Sequence, residues 1–403
     1  MTLPSRTARI SAIAALSVVA FGLILAPQKP LETAAISAPS KVAKFPAPPA
    51  GGTMGFVVSA FDLPISFDKA ACPHGTSPKM REAYLATQTE EERKRLKQSE
   101  NEAEFNRKWQ ATAFGPNGTN VCSQPEAFQH PINLAVEGPL SYGLNLDGSM
   151  GAKAKDKDNC DHANFQSPTG EQGIDNQEYR AMGCTLEWRG VDGQSSDGQV
   201  GLRQFHSSGE WTQVILLKGV DSLIRDDAVE VIYANTADRP QLDSNGKFLR
   251  GMSFAISDTM PRHRNVLHGR IINGVLTTAP SDIKLTQTWG QGGARDIRGN
   301  RSAYHYVKGR LRLKFEADRT LRGFVGGYRP VFDVIISPAL GGAGSAVVAG
   351  IDCASNLATL KKYADGIRDP KTGQCTGVSS AMKIVAVPAF VNDLPQYTKV
   401  AAK

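Results

Sequence analysis

The stretch VLHGRIINGVLTTAP, residues 266–280, decides the fold class. Two strand-like halves flank Asn273-Gly274, a dipeptide suited to a two-residue type I′ turn because both residues tolerate positive φ. The stretch reads as a β-hairpin. From Gly201 onward the chain holds further runs with period two: WTQVILLKGV, DAVEVIYAN, SFAISD, DIKLTQTW, GRLRLKFEAD and LRGFVGGYRPVFDVIIS, parted by Gly, Asp and Asn turns. In GRLRLKFEAD, Leu311, Leu313 and Phe315 point one way and Arg310, Arg312 and Lys314 the other. Seven or more strands at this spacing imply a mainly β protein. The expected architecture is an antiparallel β-sandwich over 191–340, jelly-roll or lectin-like.

Outward from this core, residues 54–190 read as a helical and polar-loop region. Thr87 and Thr89 offer caps ahead of a charged run, and Leu96, Phe105 and Trp109 supply its sparse apolar positions, which predicts two amphipathic helices. Residues 28–53 are rich in Ala, Pro and Lys and read as a tether. Ahead of it, Arg6 and Arg9 precede the apolar run 10–26, so 1–27 reads as a signal peptide or an inner-membrane anchor. Either predicts export, to the periplasm. At the other end, 341–403 reads as a small helix-and-loop subdomain, with Ser355 capping its helix and MKIVAVPAF as a last strand.

All six cysteines follow the apolar run, an even number that suits an oxidising compartment. No C-x-x-C occurs, so zinc ribbons and thioredoxin-like redox sites are unsupported. The reading pairs them sequentially, as Cys72–Cys122, Cys160–Cys184 and Cys353–Cys375.

The most polar stretch is 140–184, which contains GLNLDGS and CDHANFQSPTGEQGIDNQEYRAMGC. Hard cations bind clusters of oxygen ligands, and Asn145, Asp147, Asp156, Asp158, Asp161, Asp175 and Asn176 could supply them, with calcium as the cofactor. The spacing is not an EF-hand: with Gly148 as the turn glycine, position one is Gly143 and position twelve Ala154. Without a metal, the same residues serve as turn formers and backbone caps. Within GIDNQEYR, Asp175 or Asn176 is expected to cap a short helix, Tyr179 and Met182 to pack inward, and Asp175 to pair with Arg180. A hydrolase acting through two carboxylates would draw on Asp175 with Glu171 or Glu178. No H-E-x-x-H, P-loop, G-x-S-x-G or dinucleotide fingerprint is present, and the reading leans away from an enzyme. Of the histidines, His162 and His268 are the most suggestive. The ACPHG, FGPNGTNVC, GLNLDG and GIDNQ-to-GC segments, with NVLHGRI, resemble a group of exported proteins of Gram-negative bacteria; the resemblance implies export and no mechanism.

The net charge is +7, and residues 261–330 hold fourteen Lys or Arg against four Asp or Glu, a net of +10. Arg262, Arg264, Arg298 and Arg301, with Trp289, are the candidate ligand-binding residues on this basic sheet. Its partner would be an acidic glycan or another envelope polyanion. Nucleic acid is not expected, on grounds of compartment. The functional expectation is a cell-envelope binding module for a carbohydrate or anionic ligand; a polysaccharide hydrolase and an accessory subunit of an envelope complex are the alternatives.

Overall fold

The computed structural model describes residues 47–115, 118–190, 196–209, 211–257, 263–286, 303–336, 347 and 349–393. Among the described residues, eleven strands form one sheet system: β1 (Met54–Asp62), β2 (Gln213–Lys218), β3 (Arg225–Asn235), β4 (Ser253–Ala255), β5 (Arg264–Ile272), β6 (Val275–Thr278), β7 (Ser281–Thr286), β8 (Ala303–Phe315), β9 (Leu321–Pro330), β10 (Gly366–Arg368) and β11 (Cys375–Asn392). Eight of them close in the order β1-β2-β3-β5-β6-β8-β9-β11, with β11 pairing back onto β1. The other three are additions: β4 runs parallel to β11, β7 pairs with β8, and β10 pairs with β11.

This corrects the sandwich expectation. A sandwich keeps two sheets with open edges, whereas here β11 is hydrogen-bonded to β9 on one side and to β1 on the other, which removes the edge. The closing strands come from the two ends of the folded chain, where alternation is weak. β11 carries VSSAM before its apolar run, and Pro388 within it. Pairing with β9 ends at Ala386, so the proline stands past the last rung on that side.

The hairpin at 266–280 forms as expected. Asn273 has φ 50° and Gly274 φ 74°, both in the left-handed region a type I′ turn requires. Alternation in β8 also holds: Leu311, Leu313 and Phe315 are buried in the barrel with Phe56, Leu267 and Ile384. The barrel interior is a packed core.

A second core lies among helices α1 (Met80–Ala86), α2 (Glu90–Leu96), α3 (Glu102–Ala111), α4 (Gln177–Met182), α5 (Leu186–Arg189), α7 (Val331–Ile336) and α8 (Cys353–Lys362); α6 (Asp197–Ser208) packs against β1. The charged run after Thr89 forms the two helices α2 and α3, and α1 stands ahead of it as a third. Thr89 Oγ1 accepts from the Glu92 amide at 3.2 Å, and Leu96, Phe105 and Trp109 are all buried. Asp352, not Ser355, caps α8, accepting from the Ser355 amide at 3.0 Å.

None of the sequential disulfides forms. The bridges are Cys72–Cys184, Cys122–Cys353 and Cys160–Cys375, with Cα separations of 5.7, 4.9 and 6.1 Å. They join segments 112, 231 and 215 residues apart, so residues 341–403 are not closed on themselves. Two tie into the helical core and the third holds the polar loop to the start of β11. Chain proximity was the wrong guide because the fold brings together segments far apart in sequence, as it does β1 and β11.

Candidate functional site

The 140–184 loop lies over the outer face of β8 and β9, where Leu144 and Leu146 pack on Tyr328. Asp175 is fully buried beneath it. Its Oδ2 accepts from the amides of Leu146 at 2.6 Å and Asp147 at 3.2 Å, and its Oδ1 meets His162 Nε2 at 2.8 Å. Asp365, also fully buried, lies 3.7 Å from the same nitrogen and accepts from the Ser379 amide at 2.6 Å. His162 Nδ1 faces the Cys160 carbonyl at 3.0 Å, so both ring nitrogens face acceptors, the pattern of an imidazolium. Burial presses the His162 pKa down, but the Asp175 hydrogen bond and the Asp365 charge outweigh it and carry it up to about 9. Burial raises Asp365 to about 7 against the pull of His162. The cluster locks the loop to the barrel.

The calcium ligand set is not assembled. Asn145 Oδ1 accepts from the Gly148 amide, and Asp147 Oδ1 from the Ser149 amide, each at 2.6 Å. Asp156 and Asp158 both hold Lys308, at 2.6 and 3.0 Å; Asp161 holds Lys153 at 2.6 Å, and Asp175 holds His162. Lys308 sits at a bulge in β8 with φ 53°, which re-aims its side chain toward the loop. Asn176 caps α4. Among the described residues, no three His, Cys, Asp or Glu side chains converge as a metal site. Lysines and a histidine balance the carboxylates that a cation was expected to gather.

The hydrolase candidates also separate. Asp175 is held by His162, Glu171 by Arg312 at 2.5 Å, and Glu178 by the buried Arg329, whose Nη1 donates to both carboxylate oxygens at 2.9 and 3.1 Å. Three different cations hold the three groups, and no facing pair results. The expected Asp175–Arg180 pair is absent as well. Arg180 donates to Gln177 Oε1 at 2.9 Å and stacks 3.9 Å over the Phe165 ring. Tyr179 and Met182 do pack inward.

On the basic sheet, Arg262, Trp289, Arg298 and Arg301 lie outside the described residues. Arg264 is engaged: its Nε donates to Asp393 Oδ1 at 2.8 Å and its Nη2 to Oδ2. His268 is exposed on β5. The ladder registers nevertheless assemble cations on the outer barrel face. One row runs Arg270, Thr277, Arg312, Phe324, Lys383 across five neighbouring strands, a span of about 19 Å at ~4.8 Å per strand. The next row sets Lys314 directly opposite Arg322. Arg270, Lys314 and Arg322 are exposed, and among the described residues none has a carboxylate partner. Lys383 Nζ lies 3.6 Å from the Tyr142 ring centroid, and Tyr142 stacks on Phe324 with centroids 6.2 Å apart. Burial lowers the Lys383 pKa, with Asp62 opposing. Alternation along one strand marked these residues as outward-facing; which of them become neighbours is set by registers that no single strand reveals.

Comparison with known protein families, with characterised proteins and with solved structures finds no match. Among the described residues no helix is long and apolar enough to cross a membrane, and residues 10–26 lie outside them.

Proposed function

We propose that this chain is an exported, periplasmic binding module that holds an acidic glycan on the outer barrel face across β5, β6, β8, β9 and β11. One observation carries the reading. Lys314 and Arg322 stand directly opposite each other on adjacent strands, exposed and, among the described residues, without a counter-charge, with Arg270 and Arg312 on the neighbouring row. Like charges in that register cost roughly 0.2–1 kcal/mol. A bound polyanion converts that repulsion into attraction. The stacked Tyr142 and Phe324 rings beside the cations suit the apolar faces of sugar rings. Three disulfides are consistent with an oxidising compartment.

The test is equilibrium binding of a defined polygalacturonate oligomer to the oxidised protein at low and high salt. Binding should weaken as salt rises. The triple variant Arg270→Gln, Lys314→Gln, Arg322→Gln should fold normally and bind about tenfold more weakly, as expected for charges that steer and hold a polyanion. Equal affinity in the triple variant would remove the outer face from the account.

A further inference from the structure

A second feature lies away from the outer face. Against the helical core is a cavity of about 260 Å³ walled by apolar side chains, among them Met382 of β11, Leu202 of α6, Trp188 of α5, Val334 of α7, Leu360 of α8 and Ile351 just ahead of α8. One charged group of its lining is incompletely satisfied. Arg329 is 2% exposed, and its Cζ sits 3.9 Å over the Tyr304 ring. Nη1 is taken up by Glu178, while Nε and Nη2 are buried and, among the described residues, have no hydrogen-bond partner. In a guanidinium these two nitrogens form one edge, with parallel N–H bonds spaced for two oxygens of a carboxylate. Buried donors of this kind are normally paired, and leaving one unpaired costs about 1–3 kcal/mol.

We propose that the cavity binds a small amphipathic carboxylate, its apolar tail against Leu202, Trp188 and Leu360 and its carboxylate accepting from Arg329 Nε and Nη2. The volume sets the size. An apolar cavity of about 150 Å³ takes benzene, so this one takes on the order of ten non-hydrogen atoms. A medium-chain alkyl or an aryl carboxylic acid fits that limit. A neutral alcohol of the same size would fill the apolar part and leave the Arg329 edge unmatched. This site is independent of the glycan reading.

The experiment measures binding of decanoate and of decanol by titration calorimetry, well below the concentration at which either aggregates. Decanoate should bind at one per chain, about tenfold more tightly than decanol. In the double variant Arg329→Met, Glu178→Met, which removes both buried charges together, that preference should vanish while decanol still binds. In the unaltered protein, the Arg329 Nε–H resonance should shift on saturation with decanoate and stay in place with decanol. The proposal is overturned if decanoate does not bind, if decanol binds equally well, or if the Arg329 resonance is unmoved by bound decanoate.

Discussion

Replacing His162 by Gln keeps a hydrogen-bond donor near Asp175 and removes the charge. The His162 pKa rises from 6.5 to about 9 on folding, and each unit is worth about 1.36 kcal/mol, so the protonated imidazole contributes about 3 kcal/mol. The side chain is 6% exposed, so solvent screening takes little from this figure. Because the folded pKa is raised, the contribution is complete below about pH 6.5 and is lost as pH climbs through 9. Asp365, raised from 3.8 to about 7, acts in the same direction at lower pH, its share disappearing between about 4 and 7. Urea unfolding of the oxidised protein and of His162→Gln, at fixed ionic strength and with matching m-values, isolates the histidine. The gap between them should be about 3 kcal/mol near pH 6.5 and close by about pH 9.5. A gap that stays constant or widens across that range would refute the ion-pair reading of the cluster.

Three further outcomes follow from the fold and the outer face. Lys314→Glu, placed opposite Arg322, should raise stability by a few tenths of a kcal/mol in urea melts while weakening polygalacturonate binding, a divergence that a merely structural surface lysine would not give. Gly274→Ala should cost about 1–2 kcal/mol, since Gly274 sits at φ 74° in the hairpin turn; an unchanged melting midpoint would contradict the I′ assignment. Removing the Cys122–Cys353 bridge by paired Ala substitution should cost about 4 kcal/mol. The path through Cys160–Cys375 shortens its effective loop to about 60 residues, and peptide mapping of the unreduced protein should show the three non-sequential bridges.

Local patterns were legible and long-range ones were not. Asn273-Gly274 announced its turn because positive φ is a property of the residues themselves, and Leu311, Leu313 and Phe315 announced their face through the pleat. Thr89 and Asn176 likewise declared themselves as caps. Closure of the barrel depends on β1 and β11 meeting, and pairing between strands over 300 residues apart leaves no trace in either strand's periodicity. The disulfides failed for the same reason, since each follows tertiary proximity. In the 140–184 loop the carboxylates were visible, but their partners were not. Lys308 lies on a bulged strand and Asp365 far downstream, so a cluster needing counter-charges looked like one needing a cation. Arg329 drew no notice, because a lone arginine after GGY carries no sign that Glu178 will be its partner.

Binding of a polyanion on the outer barrel face is tested most directly by the reactivity of individual lysines. Amine acetylation read by mass spectrometry, with and without saturating polygalacturonate, compares exposed Lys314 with Lys94 on α2, whose side chain is 76% exposed and paired with Glu90. Lys314 should be protected severalfold and Lys94 left unchanged. Equal labelling of Lys314 with and without the glycan, or protection of Lys94 to the same degree, would contradict a site on this face.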